Sequence, residues 1–319
     1  MVDYVKGLHE IGPDVWAWLA PDGSWGWSNA GLVAGRDASL LVDTLFDLPL
    51  TREMLAAMRR VTDGRPLTDA VITHHNGDHC FGNELLAPRV TIHAGRDVGH
   101  DIHESPPERL GQLVTEDLGP VLTPYARKCF GPFDFSGITL RAPDTEVLVD
   151  TERQVGGRRV RILPLGPAHT AGDVVVHVPD AGVLFAGDLL FIGGTPIMWT
   201  GPAENWVVAC DAMLATGASV VVPGHGPVTD QDGIGEVRDY LEHVNREVRA
   251  AHAAGTPWRQ AADEVDLGRF AGLLDPERIV VNTYTIYRHL DPTMPPVDAT
   301  ALFGDMAQWE LDHAVTPSR

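Results

Sequence analysis

The chain has 319 residues, 44% hydrophobic and 21% charged, with a formal net charge of -20. That suits one large globular domain with an appendage, or two modest domains, and so acidic a surface disfavours nucleic acid or an anionic membrane as partner. Three cysteines, Cys80, Cys129 and Cys210, with no Cys-x-x-Cys pair, argue against a disulfide framework or a structural zinc knuckle. The amino terminus lacks the basic start and apolar run of a signal peptide, and no stretch is long and apolar enough for a membrane helix. The expectation is a soluble, cytoplasmic protein.

In chain order, "SLLVDTL" (39–45) reads as a buried strand. "LTREMLAAMRRV" (50–61) has helical spacing, with Thr51 as the expected N-cap. "AVIT" (70–73) is a strand that runs into "HHNGDHC". Residues 95–140 mix helix formers with proline and glycine and read as an insertion packed over something. Further strands are expected at "VRILPL" (160–165), "DVVVHV" (173–178), "GVLFAG" (182–187) and "ASVVVP" (218–223). From about residue 232 the pattern is mainly helical. Strands alternating with helical stretches predict a layered α/β fold.

The polar residues after these strands form a pattern. "AVIT" is followed by His74-His75-Asn76-Gly77-Asp78-His79, and "RILPL" by Gly166-Pro167-Ala168-His169. Asp188 stands behind Gly187, and His225 stands in "PGHGP" after "VVV". Ligands in open α/β sheets gather at strand ends, and glycine there lets the backbone turn and approach closely. Each piece alone is weak; the four in this order are specific.

"HHNGDH", "GPAHTAGD", "FAGDLLF" and "VVPGHGPV" resemble the ordered motifs of the metallo-β-lactamase-fold superfamily, whose first motif is usually His-x-His-x-Asp-His. The resemblance covers roughly residues 10–230 and includes "SNAGLVAG" with "SLLVDT". It implies a four-layer αββα sandwich over residues 1–231, with the 95–140 insertion as a lid and a helical C-terminal extension over 232–319. By position it implies a first metal site at His74, Asn76 and His169, a second at Asp78, His79 and His225, and Asp188 bridging the two. Asn76 departs from the pattern by replacing the second histidine.

Imidazole and carboxylate donors suit zinc, iron or manganese, and a bound metal makes hydroxide available near neutral pH. No Gly-x-Ser-x-Gly elbow or phosphate-binding Gly-rich Lys loop competes with that chemistry. The expectation is a metal-dependent hydrolase using metal-bound hydroxide on a small ester, thioester, lactone or amide, with Asp78 and Asp188 as catalytic residues. One or two zinc ions are expected, iron or manganese being the alternatives. An amide oxygen is a weaker, harder donor than imidazole, so the second site is expected to fill first. A lyase or an oxygen-using iron enzyme is the rival, and a catalytically dead binding protein the third reading. The expected partner is a small molecule, with neither nucleic acid nor membrane, and a homodimer is the one assembly considered.

Around this centre, Trp25, Trp27, Met198 and Trp199 are candidate substrate contacts in the pocket wall. Asp43 is read either as an acceptor that orients a ligand imidazole or as a turn residue, and Asn83 as a residue that caps or orients the same loop. His75 is read as packed and Cys80 as a small buried residue. His93 and His177 are read as strand residues, and His100 and His103 as solvated. Tyr284, Tyr287 and His289 are read as packing residues.

Overall fold

The computed structural model describes residues 2–314. Two sheets stack face to face. The first takes strands in chain order: β1 (Gly7–Gly12), β2 (Val15–Leu19), β3 (Ala30–Ala34), β4 (Ser39–Val42), β5 (Leu67–Ile72), β6 (Thr91–Ala94) and β7 (Thr145–Glu146). It is antiparallel from β1 to β4 and parallel from β4 to β7. The second orders β12 (Val220–His225), β11 (Val183–Phe191), β10 (Val174–Val178), β9 (Arg158–Pro164) and β8 (Thr151–Val155) from edge to edge.

Strand alternation assigns side chains to layers. Val15, Ala17, Leu19, Val33, Leu40 and Val42 of the first sheet share one core with Ile162, Val174, Val176, Val183, Phe185 and Val222 of the second. Their neighbours Leu32, Leu41, Ala70 and Ile72 face the other way and join a second core under the helices. This is the αββα sandwich expected from the motifs, with helices added at the C-terminus.

Helix α1 (Leu48–Thr62) shows how the outer layer is made. Leu48, Thr51, Met54, Met58 and Val61 recur at helical spacing and are buried, while Arg59 and Arg60 occupy the last turn, where the helix dipole favours cations. The N-cap is Asp47 and not Thr51: Asp47 Oδ1 accepts the Leu50 amide at 2.8 Å, and Pro49 in the first turn costs no hydrogen bond. Thr51 lies one turn in, its hydroxyl donating to the Asp47 carbonyl at 2.9 Å.

A short α2 (Gly77–Cys80) carries the second half of the histidine motif. The 95–140 segment folds as α3 (Val98–Asp101), α4 (Pro107–Thr115) and α5 (Gly119–Phe130). Helix α6 (Ala203–Ala215) lies between β11 and β12 in the chain, and the tail forms α7 (Gln231–Ala253), α8 (Trp258–Glu264), α9 (Ile279–Leu290) and α10 (Ala299–His313). Strand β11 continues to Phe191, because Leu189, Leu190 and Phe191 are buried as well, so Asp188 stands inside a strand and not beyond its end. Among the described residues no helix is long and apolar enough to cross a membrane.

Candidate metal centre

His74, Asn76, Asp78, His79, His169, Asp188 and His225 converge where β5, β9, β11 and β12 end or bend. Donor atoms of His74, His169 and Asp188 lie within 4.8 Å of one another, and so do those of Asp78, His79 and His225. Asp188 ties the two groups together. Its Oδ2 is 3.8 Å from His74 Nε2, 3.5 Å from His169 Nε2 and 3.4 Å from His225 Nε2, while its Oδ1 is 3.0 Å from His79 Nε2. Two glycines make room for it. A Cβ on Gly224 would fall 1.9 Å from Asp188 Oδ1, and Gly187, at φ +52°, adopts backbone that L side chains avoid.

Asn76 reaches the first group. Its Oδ1 lies 3.1 Å from His74 Nε2 and 2.7 Å from His169 Nε2. His169 Nδ1 sits 2.6 Å from the Ile197 carbonyl, which can only accept, so that nitrogen carries the proton. Burial holds the His169 pKa down to about 4 against the pull of Asp188, so the ring is neutral and Nε2 presents a lone pair. Two lone pairs 2.7 Å apart need a cation between them, or the Asn76 amide turned to offer Nδ2.

The outer partners of the imidazoles differ. Asp43 Oδ2 accepts from His79 Nδ1 at 2.9 Å and from Thr73 Oγ1 at 2.8 Å, and Thr73 Oγ1 in turn lies 3.1 Å from His74 Nδ1. One carboxylate thus fixes two rings. Asp43 does so from φ +61°, a conformation uncommon for a non-glycine residue, and the Thr73 amide donates to its Oδ1 at 2.7 Å. The reading of Asp43 as an acceptor that orients an imidazole is therefore the one the geometry takes. Asn83 steadies the same corner by accepting from Thr44 Oγ1 at 3.1 Å.

Charge is unevenly shared. Burial alone lowers the His225 pKa, but Asp188 and Asp78 outweigh it and carry it to about 9. Burial likewise opposes charge on His79, yet Asp188, Asp78 and Asp43 hold it well above the usual imidazole value. His74 goes the other way, kept well below that value by burial and by His79. Burial pushes Asp188 up, but His225, His79 and His74 outweigh it and keep its carboxyl well below the usual range. The Asp78–His79–His225 group is thus the one that most demands positive charge.

The family model described as the metallo-beta-lactamase superfamily matches residues 23–225. The chain belongs to that superfamily. Among curated proteins it is similar to a linear primary-alkylsulfatase of Pseudomonas sp., 24% identical over 67% of this chain and 45% of that protein. It is also similar to a hydroxyacylglutathione hydrolase of Rhodopseudomonas palustris, 26% identical over 66% of this chain and 69% of that one. Among solved structures, the inverting sec-alkylsulfatase from Pseudomonas sp. superposes at a TM-score of 0.70 over 92% of this chain and 52% of that chain, at 18% identity. The metallo-beta-lactamase from Pontibacter korlensis superposes at 0.56 over 74% of this chain and 98% of that one, at 21% identity. The chain spans about half the length of the alkylsulfatases it matches.

In this superfamily member the centre opens into a cavity of about 690 Å³. Trp25 and Trp199 line it. Trp27 and Met198 are not among its lining residues: Trp27 packs on Phe133 with centroids 4.9 Å apart, and Met198 is buried in the core, its amide held by Asn282. The 95–140 segment supplies Asp101, Glu104, Leu110 and Phe130 to the wall. Tyr284 and His289, expected only to pack, line it too, whereas Tyr287 is tied to the Thr256 carbonyl. His75 lines the cavity, while Cys80 is buried and burial drives its thiol pKa well up. His100 and His103 are exposed.

Sequence reasoning missed the base of the tail. Arg278 is fully buried, lines the cavity, donates to the Thr195 carbonyl at 3.0 Å and pairs with Asp275 at 2.9 Å. Beside it, buried Glu277 accepts from Trp25 Nε1 at 3.2 Å and from Tyr125 at 2.9 Å. The one available signal was the placement of "DPER" directly before the apolar run "IVVN".

Proposed function

We propose that the protein is a metal-dependent hydrolase acting on an ester, thioester, lactone or amide, with zinc as the expected metal. The observation that carries the reading is the donor set itself. His79 Nε2 and Asp188 Oδ1 face each other at 3.0 Å, both buried, and neither has a well-aligned hydrogen bond among the described residues. Buried polar atoms left this way are costly unless something absent from the protein atoms completes them. The nitrogen-to-oxygen separations of 3.0–3.8 Å around Asp188 bracket the roughly 3.3 Å that tetrahedral zinc, with bonds of about 2.0–2.1 Å, imposes between its ligands.

His74, Asn76, His169 and Asp188 would hold one ion, and Asp78, His79, His225 and Asp188 the other. The second set has two carboxylates and two imidazoles and is the stronger. When bound, the metal supplies a water of lowered pKa and polarises the scissile group. The chain's own residues do the rest. Asp43 keeps the proton of His79 on Nδ1, and the Ile197 carbonyl does the same for His169, so each Nε2 stays free to coordinate. Asp188 stays ionised and is shared between the two sets. Asp78, which lines the cavity, would orient the attacking water and take its proton. The names of the relatives, alkylsulfatase and hydroxyacylglutathione hydrolase, support hydrolysis as the reaction class.

We further propose the division at about residue 231 between the sandwich and a helical extension, and cytoplasmic location with a small-molecule partner. The test of function combines metal analysis with assays on carboxylic esters, thioesters, lactones, amides and sulfate esters. Stoichiometric metal and hydrolysis of at least one class, lost with a chelator and restored with zinc, is the expected result. Stoichiometric metal with no hydrolysis in any class would overturn it in favour of a non-hydrolytic enzyme.

A further inference from the structure

The cavity is lined at the candidate centre by polar side chains and elsewhere by an aromatic cluster. Trp25 precedes β3, Phe130 ends α5, Trp199 follows β11, and Phe303 lies in α10, yet all four line one surface. Ring centroids are 6.1 Å apart for Trp25–Phe130, 5.4 Å for Trp25–Phe303, 5.4 Å for Phe130–Phe303 and 6.0 Å for Trp199–Phe303. Phe303 is the hub, and Leu302 and Val297 continue the apolar surface.

An aromatic wall suits one of two guests, an apolar body or a cation. Here the Trp25 face already carries the Arg278 guanidinium at 4.4 Å, so a second cation there would be repelled. Beyond the centre the lining carries both signs, Asp101 and Glu104 with Arg278 and Arg288, so it presents no net charge to select one. The cavity volume of about 690 Å³ is in the range that engulfs a drug-sized ligand, well beyond the needs of an acetyl group.

We infer that the substrate carries a bulky, uncharged apolar body, alkyl or aryl, which seats on the Trp25–Phe130–Trp199–Phe303 wall while its scissile group lies at the candidate centre. The reaction part of this rests on the hydrolase reading above; the binding part does not. Each methylene laid on such a wall adds transition-state binding worth about two- to fourfold in kcat/KM until the wall is filled.

The experiment has two arms. In the first, the zinc-loaded protein is assayed with p-nitrophenyl esters from acetate to octanoate. The expected result is a rise in kcat/KM of at least tenfold across the series. Phe303→Ala should flatten the rise per methylene, and Phe303→Trp, which fills the space, should move the optimum to shorter chains. A flat series, or a preference for acetate, overturns the inference. In the second arm, intrinsic tryptophan fluorescence follows titration with 2-decanone, 2-butanone and tetramethylammonium. At least tenfold tighter binding of 2-decanone than of the other two is expected; equal binding, or tighter binding of the cation, overturns it. If no ester turns over, the hydrolase reading fails for carboxylic esters, and the titration alone decides the inference.

Discussion

The ring of Phe191 stacks on the imidazole of His225, with centroids 5.1 Å apart and planes within 1° of parallel. His225 needs this neighbour more than the other imidazoles do. His79, His74 and His169 each have an oxygen acceptor at Nδ1, but His225 Nδ1 is buried without a hydrogen-bond partner among the described residues. Where the other imidazoles have an outer hydrogen bond, His225 has the packed Phe191 ring. Phe191 is in turn held by Arg278, whose guanidinium carbon lies 5.3 Å from its centroid, so the tail helps set a residue of the centre.

Phe191→Leu should therefore loosen His225 and weaken metal binding about two- to tenfold, the equivalent of the ~0.5–1.5 kcal/mol an aromatic pair adds. Phe191→Tyr, which keeps the ring, should restore most of the affinity. The measurement is competition for zinc against a chromophoric chelator. Wild-type affinity in the leucine variant would show that stacking does not position His225.

Gly224→Ala is a sharper perturbation, because the added Cβ would sit 1.9 Å from Asp188 Oδ1 and one of the two must move. We expect a loss of metal affinity of tenfold or more and a stability loss of about 1–3 kcal/mol, as for overpacked cores. Metal analysis and urea unfolding of the purified variant check this. A variant with wild-type metal content and affinity would mean that the contact between residue 224 and Asp188 does not set metal binding.

Away from the centre, Asp69 gives a pH prediction. Hydrogen bonding from His93, aided by Thr68 and Arg153 and opposed by burial, lowers its pKa to about 2. A carboxylate depressed in the folded state adds stability above its unfolded pKa of about 3.9 and loses it as pH falls through the folded value. Asp69→Asn should therefore be less stable than wild type at pH 7, by about 1–2 kcal/mol after allowing for partial solvent screening. The gap should shrink between about pH 4 and pH 2. Urea unfolding at pH 7 and pH 3 tests it; a gap that widens on acidification would contradict the sign.

The donor residues were legible because each follows an apolar run with glycine alongside: His74 after "AVIT", His169 after "RILPL", His225 after "VVVP". Strand β2 was hidden because both its faces are apolar. Val15, Ala17 and Leu19 point between the sheets while Trp16 and Trp18 point under the helices, so "VWAWL" shows no alternation of hydrophobic and polar residues. The end of β11 is hidden in the sequence because Asp188, a charge inside a strand, looks like a terminus until its four imidazole neighbours are seen. The aromatic wall was largely illegible. Phe303 and Phe130 acquire their meaning only when α10 packs against α5, a contact no local pattern announces. Asn76 falls in the first group by its position in the motif, and although it and His74 lie past the end of β5, its amide oxygen lies 3.1 Å from His74 Nε2 and 2.7 Å from His169 Nε2.

The most direct test is a zinc titration of the metal-free protein beside its Asn76→His variant. Wild type should show two steps of unequal affinity, the stronger belonging to Asp78, His79, His225 and Asp188. In Asn76→His the weaker step should tighten by about tenfold, because an imidazole replaces an amide oxygen. Failure of wild type to bind even one equivalent of zinc would contradict the metal centre itself. Identical weak steps in the two proteins would put Asn76 outside the coordination sphere.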